Sequence, residues 1–263
     1  MAIIIVISIS CGVIFLYMYY LAHHDCIRHN IIYHPNIDKD SGDYNIFFIA
    51  DIHRRTIKQE TIANINEKID IVCIGGDLME KGVPLKRVRE NITRLKQLHA
   101  PIYFVWGNND EEVDKELLRN LLVAEGVIIL EDQMVPVTKS GCYIQLACFR
   151  YEMYPNTEKS MIHWEKAAHD MTVLLTHKPS SFYMLNLEVK KYIDLVLAGH
   201  THGGQIRLFG FGPYQRGSMK KFNDTSILIT EGYGYSLLPL RLGTNAECHV
   251  IQLRHKEEKH SVQ

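Results

Sequence analysis

Five apolar segments of the sequence each end in side chains of the types that bind divalent metal ions. They are IADIH with Asp51 and His53, CIGGDLM with Asp77, VWGNND with Asn108, LLTHKP with His177, and LAGHTHGGQ with His200 and His202. A single motif of this kind is more often a turn or a helix cap. Five of them after predicted strands indicate one site, because loops at the carboxyl ends of strands in an open α/β sheet form a shared crevice.

The ligand types indicate which metals this site would hold. Two carboxylates, four imidazoles and one amide oxygen, without a thiolate, suit Mn, Fe, Zn or Co rather than Cu(I) or a structural zinc. Seven ligands exceed one tetrahedral site and favour two ions that share a carboxylate, and such a pair acts on the attacking and leaving oxygens of a phosphate. Asn108 adds a neutral oxygen, which binds a cation without weakening its attraction for phosphate.

The elements that position these residues follow an α/β pattern. After Gly42, short runs rich in β-branched residues alternate with amphipathic segments, which is typical of strands joined by helices. We predict strands over residues 45–50, 69–74, 102–106, 127–130, 143–148, 172–176 and 193–198, and later 205–208, 226–230 and 248–253. We predict helices over residues 60–68, 84–98 and 113–124, and a further one around Trp164.

The first residues differ from the rest, because residues 2–22 are apolar and carry no charge. At about 1.5 Å per residue they reach the roughly 30 Å of a bilayer core, so we predict a single-pass membrane anchor over residues 1–22. A cleaved signal peptide is the alternative, although no Lys or Arg precedes the stretch. Arg28 and Lys39 follow it, which favours a cytoplasmic main domain. We expect residues 23–43 to be a tether, residues 44–255 one domain, and residues 256–263 a flexible tail.

Composition excludes several other classes of protein. The 29 Lys and Arg residues nearly balance 30 Asp and Glu residues among 263, so the chain lacks the basic footprint of a protein whose main partner is nucleic acid. None of the six cysteines forms a C-x-x-C pair, which argues against a zinc knuckle or a disulfide framework. With 46% hydrophobic residues the chain has enough apolar material for a full core.

The order of the motifs, D-x-H, G-D, G-N-x-D, an isolated His and G-H-x-H, resembles the calcineurin-like metallophosphoesterases over residues 45 to about 253. The ending GHTHGGQ is similar to that of a membrane-linked bacterial branch of this family. The resemblance implies a four-layer α/β/β/α sandwich and a dinuclear site, with Mn favoured for activity, in which a bridging hydroxide attacks phosphorus. It implies one metal on Asp51, His53, Asp77 and His202, and another on Asp77, Asn108, His177 and His200.

One position departs from the family pattern. Asn109 stands where the family has a His thought to assist the leaving oxygen, and Asp110 still follows it. We predict catalytic roles for Asp77, Asn108, Asn109, Asp110 and His200. An amide does not deliver a proton, and general acids typically contribute about 10² to 10⁴ in rate. A phosphate leaving group, with a second pKa of about 6, scarcely needs that proton.

This departure suggests that the substrate has a good leaving group. Together with the anchor it leads to the hypothesis of a lipid-linked pyrophosphate, such as a UDP-diacylglucosamine-like molecule. Enzymes that hydrolyse UDP-diacylglucosamine also lack the His and carry Arg there, which is an analogy only. Alternatively another histidine, His163 or His34, takes over the role, or activity is lost.

Basic side chains near the motifs are candidates for substrate contacts. Arg54 and Arg55 follow D-x-H directly, and Arg207 and Arg241 lie near the last motif and a later Gly-rich turn; each could bind phosphate or serve only structure. The segment from Tyr233 to Leu238 could line an acyl groove or pack in the core. Two other functions stay open: a catalytically weak metal-binding or sensory module, and a phosphomonoesterase acting on proteins or nucleotides.

Overall fold

The computed structural model describes residues 1–139, 142–149 and 171–256, which contain two six-stranded sheets. The strands are β1 Asp25–His34, β2 Tyr44–Ile49, β3 Ile71–Ile74, β4 Ile102–Phe104, β5 Ile128–Ile129, β6 Gln133–Lys139, β7 Cys142–Cys148, β8 Met171–Thr176, β9 Leu195–Ala198, β10 Ser218–Phe222, β11 Thr225–Ile229 and β12 Ala246–His255. The helices are α1 Ala2–His23, α2 Gln59–Ala63, α3 Leu85–Lys96, α4 Asn108–Glu111, α5 Lys115–Ala124, α6 Ser180–Tyr183 and α7 Leu187–Lys190, with 3₁₀ turns at Lys39–Ser41 and His202–Gly204.

Each sheet has a parallel centre. The first sheet has the order β1-β12-β2-β3-β4-β5, and β2 through β5 run parallel to one another. The second has the order β10-β11-β9-β8-β7-β6, with β7, β8, β9 and β11 parallel. Because parallel strands end at the same edge of their sheet, the loops after β2, β3 and β4 open together, as do those after β8 and β9.

The packing forms four layers, as the resemblance implies. Side chains alternate between the two faces of a strand, so Ile46 and Phe48 of β2 point into the core between the sheets while Phe47 and Ile49 point away from it. The second sheet contributes residues such as Val173 to the same central core. On the outer faces, α3 and α5 cover the first sheet and α6 covers the second. The predicted α/β/β/α architecture is confirmed.

Helix α3 shows how the sequence pattern directs one helix to the sheet. Its Val88, Ile92 and Leu95 are spaced by four and three residues and are buried against the first sheet. Asn91 lies on the same buried side, where its Oδ1 accepts from Ile57 N at 2.8 Å and its Nδ2 donates to Arg55 O at 3.0 Å. The helix therefore also fixes the loop that follows β2.

The prediction of a tether over residues 23–43 is wrong for much of this segment. Residues 25–34 form β1, which pairs in parallel with all of β12, from Asp25 opposite Ala246 to His34 opposite His255. β1 lies at the edge of the sheet and buries little besides Ile32, so its composition is polar like that of a tether.

Other differences are smaller. Residues 205–208 form only isolated bridges, Ile206 to Leu242 and Leu208 to Phe211, instead of the predicted strand. β6 and β10 were not predicted, because Pro136 in the first and two lysines in the second obscure a strand pattern. The predicted helix around Trp164 and residues 257–263 lie outside the described residues.

Helix α1 is long and apolar enough to cross a membrane, and among the residues that the structure describes it is the one such helix. Residues 2–17 are exposed along its whole surface, as expected for a segment that meets lipid rather than protein. Only its last turns approach the domain, where Met18 and Leu21 become half-buried and Ala22 is fully buried.

Candidate metal centre

All seven predicted ligand residues follow the carboxyl ends of strands, and they meet where the two sheets face each other. Asp51 and His53 follow β2, Asp77 follows β3, Asn108 follows β4, His177 follows β8, and His200 and His202 follow β9. The first sheet thus supplies four of them and the second sheet three. Five are buried, and Asn108 and His200 are half-buried.

The first group of ligands comprises Asp51, His53 and His202, whose ligand atoms lie within 4.8 Å of one another. His53 Nε2 is 3.0 Å from His202 Nε2. Asp51 Oδ1 is 3.7 Å from the same nitrogen of His202. These atoms face one another across a space that one cation would fill.

The second group lies beside the first and surrounds Asn108. Asn108 Oδ1 is 3.1 Å from His177 Nε2 and 2.9 Å from His200 Nδ1. Asp77 Oδ2 is 3.3 Å from His177 Nε2 and 3.7 Å from His53 Nε2. Asp77 therefore contacts both groups, as a shared carboxylate requires, and ligand atoms of Asp51, Asp77 and His177 also lie within 4.8 Å of one another.

The contacts behind two of the imidazoles direct their Nε2 atoms toward the cluster. His177 Nδ1 donates to the carbonyl oxygen of Gly75 at 2.9 Å, so Nε2 is the nitrogen that faces the cluster. His53 Nδ1 lies 3.1 Å from Glu80 Oε2, so its Nε2 is likewise the nitrogen that faces the cluster. The residues present thus fit a pair of divalent ions.

Charges that are buried together shift the pKa values of the cluster in opposite directions. Burial, with Asp77 adding repulsion, raises the pKa of Asp51 to about 6. Burial would lower the pKa of His177, but the carboxylate of Asp77 outweighs it and raises that pKa to about 9. Burial and the neighbouring His177 lower the pKa of His200 to about 4. Buried carboxylates need a partner of opposite charge, and bound metal cations would supply that partner here.

The backbone around the ligands adopts a conformation that non-glycine residues seldom use. Positive φ angles occur at five of the seven ligands: Asp51 (55°), His53 (51°), Asp77 (51°), His200 (73°) and His202 (49°). Left-handed backbone costs energy in residues with a Cβ and clusters at functional sites. The unfavourable backbone energy thus falls on the residues whose side chains form the candidate metal centre.

Gly107 illustrates why a glycine precedes Asn108. A Cβ at Gly107 would lie 2.2 Å from Asp77 Oδ1 and 2.3 Å from Asp77 N, closer than atoms approach. The loops after β3 and β4 therefore contact each other backbone to backbone, as a glycine permits.

Asn109 and Asp110 are both engaged with the loops of the site. Asn109 N donates to Asp77 Oδ1 at 2.8 Å, and Asn109 Nδ2 donates to Asp77 Oδ2 at 2.7 Å. Asp110 is buried and accepts from Gly107 N at 2.9 Å and from Met79 N at 3.0 Å. Burial, with Asp77 nearby, raises the pKa of Asp110 to about 7. Asp110 thus joins the loops after β3 and β4.

The predicted substrate-binding arginines have different environments. Arg54 has a half-exposed side chain that pairs with Glu80. Arg55 was predicted to bind substrate, but it is 5% exposed and its guanidinium bonds to Asp25 and to Tyr233 O, so this prediction is wrong. Asn91 of α3 donates to Arg55 O at 3.0 Å, and the ring of Tyr233 lies 4.2 Å from Arg55 Cζ.

Two arginines near the last motif also donate hydrogen bonds to backbone carbonyl oxygens. Arg207 donates to Gly203 O at 2.9 Å, to Gly210 O at 2.5 Å and to Tyr214 O. These bonds organise the loop, and the role of the half-buried Arg207 in substrate binding stays a prediction. Arg241 is fully buried and donates to the carbonyls of Glu231, Gly232 and Gly234, while its Nη2 lies 3.4 Å from His202 Nδ1.

Glu80 is a member of the site that the sequence analysis missed. It contacts His53 at 3.1 Å and bonds to Arg54, so it connects a ligand to an exposed cation. The sequence signal was a second carboxylate three residues after Asp77.

The segment from Tyr233 to Leu238, predicted to line an acyl groove or to pack in the core, contains residues of both kinds. Tyr233 is buried, as expected of a core residue, whereas Leu237 and Leu238 are exposed. His163 lies outside the described residues, and His34 bonds to Asp194.

The comparisons with known proteins agree with this geometry. Residues 44–204 match the family model for calcineurin-like phosphoesterases. The chain is 40% identical to the uncharacterized protein YpbG of Bacillus subtilis, over 82% of this chain and 83% of YpbG. It is 26% identical to the phosphodiesterase YaeI of Escherichia coli, over 94% of both chains.

A vertebrate protein is similar as well. The chain is 28% identical to a transmembrane protein with metallophosphoesterase domain from Danio rerio, over 80% of this chain and 53% of that protein, so it spans about half of the vertebrate chain. The family model covers more than half of the residues, and YpbG is similar over most of its length. The chain belongs to the calcineurin-like phosphoesterase family, hydrolases of phosphoester bonds, and the seven side chains form its candidate metal centre.

Proposed function

We propose that this protein is a membrane-anchored phosphohydrolase with two divalent metal ions, acting on a phosphodiester or pyrophosphate bond of a lipid-linked substrate. The observation that carries the proposal is the convergence of seven ligand side chains from both sheets around Asp77. The name of YaeI, a phosphodiesterase similar along nearly its whole chain, supports hydrolysis of a diester.

The residues divide between the two ions as the family pattern implies. Asp51, His53 and His202 would hold one ion, Asn108, His177 and His200 would hold the other, and Asp77 would contribute to both. Such a pair supplies Lewis acidity toward phosphate oxygens and acidifies bound water. Manganese is the ion that we expect to support most activity, as the resemblance to the family implies, and the ligand set without thiolates is compatible with Mn as with Fe, Zn or Co.

The position of Asn109 supports a substrate with a good leaving group. Its backbone N and its side-chain Nδ2 each donate to the carboxylate of Asp77, and an amide delivers no proton at neutral pH. A leaving group that departs as a phosphate monoester has a second pKa of about 6 and needs no added proton, unlike an alkoxide. A UDP-diacylglucosamine-like pyrophosphate fulfils this condition and resides in a membrane.

Helix α1 supports the membrane part of the proposal. It is exposed and uncharged over residues 2–17, and one relative is named as a transmembrane protein. The cations Arg28 and Lys39 after the span favour a domain on the cytoplasmic side.

The second candidate function is a catalytically weak metal-binding module. Asn109 is the observation that favours it, because an amide in place of the proton donor could also mean that catalysis has been lost.

The deciding assay measures hydrolysis of bis-p-nitrophenyl phosphate by the full chain in detergent, depleted of metal and reloaded with Mn. We expect Mn-dependent turnover that Asp77→Asn abolishes and that Asp224→Asn, at an exposed acid, leaves unchanged. An inert protein with Mn demonstrably bound would favour the module.

A second assay tests the leaving group. Wild type should turn over a UDP-linked diacyl lipid faster than a dialkyl phosphodiester lipid in the same micelles. Asn109→His should raise turnover of the alkyl ester selectively, toward the ~10² to 10⁴ that a general acid contributes. Equal or faster hydrolysis of the alkyl ester by wild type would refute the pyrophosphate assignment while leaving the phosphohydrolase intact. A phosphomonoesterase acting on proteins or nucleotides would instead prefer monoester substrates in this comparison.

A further inference from the structure

Two neighbouring loops expose an unusual amount of apolar surface. The first covers residues 205–214 and the second residues 234–242, and together we call them the apolar loops. Phe209 is 99% exposed, Phe211 is 82% exposed and Leu237 is 86% exposed. Ile206, Leu208, Tyr214 and Leu238 are exposed as well. Large side chains left in water in one region mark a surface that another apolar phase covers.

Hydrogen bonds join the apolar loops into one unit. Gln205 Nε2 contacts the carbonyl oxygens of Ser236, Leu238 and Leu240 at 3.0, 3.2 and 3.1 Å. Leu242 N donates to Gln205 O at 3.0 Å, and Arg207 N donates to Leu242 O at 2.8 Å. The exposed side chains of the two loops therefore belong to one surface, held by a common backbone network.

This unit is attached to the end of the apolar helix. Arg241 N donates to Met18 O at 3.0 Å, and the rings of His23 and Tyr235 lie 5.6 Å apart. Met18 is sixteen residues after Ala2, which corresponds to about 24 Å along the helix, within the roughly 30 Å of a hydrocarbon core. A loop whose backbone bonds to Met18 is thereby held at the boundary of the bilayer that α1 would cross.

The same unit is continuous with the metal centre. Arg207 Nη1 donates to Gly203 O at 2.9 Å, directly after His202. Gly204 approaches the ring of Pro213 so closely that a Cβ there would lie 3.1 Å from Pro213 Cδ. The first loop therefore folds back on the turn that presents a metal ligand.

The charges beside the apolar loops suit an anionic lipid surface. Residues 205–222 contain Arg207, Arg216, Lys220 and Lys221 and no acidic residue. Arg216 pairs with Glu231 and Arg207 donates to backbone carbonyls, so the exposed Lys220 and Lys221 are the cations that lipid would meet. Basic side chains next to exposed aromatic and aliphatic groups are the composition that binds the interface of membranes with anionic lipids.

We propose that the apolar loops insert into the interface of the same bilayer that α1 spans, so that the metal centre opens toward the lipid surface. The inserted side chains are Leu208, Phe209 and Phe211 from the first loop and Leu237 and Leu238 from the second. This inference rests on the membrane location in the proposed function. It specifies the route by which a lipid substrate reaches the metal centre. A lipid whose phosphate lies at the headgroup level would reach the ligands without leaving the membrane.

Depth-dependent fluorescence quenching tests the insertion directly. Phe209→Trp is placed in the full chain, reconstituted in phosphatidylglycerol-containing vesicles with lipids brominated near the headgroup, and the signal of wild type is subtracted. Val123→Trp is the matched control, since Val123 is 62% exposed on α5, which packs beside β5 at the opposite end of the first sheet from β1 and β12. We expect several-fold stronger quenching at position 209. Quenching no greater than that of the control would overturn the proposal.

A second variant tests what insertion does for the substrate. Phe209→Asp combined with Phe211→Asp places two charges at the apolar surface, on side chains that are 99% and 82% exposed. We expect several-fold lower turnover of a phosphodiester lipid embedded in vesicles, with unchanged turnover of soluble bis-p-nitrophenyl phosphate. Unchanged turnover of both substrates would refute delivery from the membrane. A wild type inert on both would contradict the proposed hydrolase, whereas the quenching measurement decides the insertion independently of activity.

Discussion

Asn109 holds the carboxylate of Asp77 with two hydrogen bonds, from its backbone N to Oδ1 at 2.8 Å and from its side-chain Nδ2 to Oδ2 at 2.7 Å. Burial alone would raise the pKa of Asp77, but His177, His53 and the Asn109 amide together lower it. The residue that departs from the family pattern therefore orients the carboxylate that both ligand groups contact.

The first prediction concerns this contact. Asn109→Ala removes the side-chain donor and leaves Asp77 free to rotate, so we expect Mn affinity to fall about 10- to 100-fold, as for other groups that orient metal ligands. Isothermal titration of the metal-depleted full chain measures this. Asn120→Ala, at an exposed position of α5, is the control and should bind Mn as wild type does. Unchanged affinity in Asn109→Ala would show that Asp77 is fixed by other contacts.

The second prediction concerns Glu80, which contacts His53 Nδ1 at 3.1 Å. Glu80→Gln keeps the size of the side chain but removes the negative charge that fixes the tautomer and orientation of His53. We expect weaker binding of one of the two Mn ions, with an affinity loss of at least about tenfold. Glu116→Gln changes an exposed acid on α5 and should alter neither binding step. Two Mn ions bound with wild-type affinities by Glu80→Gln would contradict the role of Glu80.

Much of the metal centre was predictable because of strand geometry. Asp51, Asp77 and His177 each follow a recognisable apolar run, and parallel strands that end at one edge must bring such residues together. The role of Arg55 was not predictable, because its partner Asp25 lies in a segment with the composition of a tether. Local pattern reveals strands that bury one or both faces, but β1 is an edge strand whose stability comes from pairing with β12, 221 positions later.

The third prediction concerns the buried pair that ties β1 to the loop after β2. Asp25 bonds to Arg55, and also to Thr61 and Tyr233, in a largely buried setting. Asp25→Asn leaves the guanidinium of Arg55 buried without its counter-charge, so we expect a loss of about 3 to 5 kcal/mol in the free energy of unfolding.

Urea unfolding of the full chain in detergent micelles measures this loss. Asp43→Asn is the control, because it breaks an ion pair with Arg254 in which both side chains are more than a third exposed, and such pairs contribute about 0 to 1 kcal/mol. Equal losses in the two variants would mean that the Asp25 pair contributes no more than a surface contact.

The fourth prediction concerns the pH dependence of stability through Glu247 in β12. Burial raises the pKa of Glu247, but His249, Glu231 N and Arg28 outweigh it and lower the pKa from its ordinary value of 4.5 to about 2. The unfolded chain therefore binds this proton first as the pH falls. The stabilisation by ionised Glu247 is fully present above pH 4.5 and is lost as the pH falls toward 2.

That difference in pKa corresponds to about 3 kcal/mol at neutral pH. Glu247→Gln should therefore lower the free energy of unfolding at pH 7, and the gap between wild type and variant should narrow as the pH falls below 4.5, since the wild type loses its own charge there. Glu188→Gln, at a pair with Lys191 in which both side chains are exposed, should follow wild type at every pH. A gap that stays constant with pH would show that the charge of Glu247 does not cause it, because only an effect of the charge can disappear when the carboxylate is protonated.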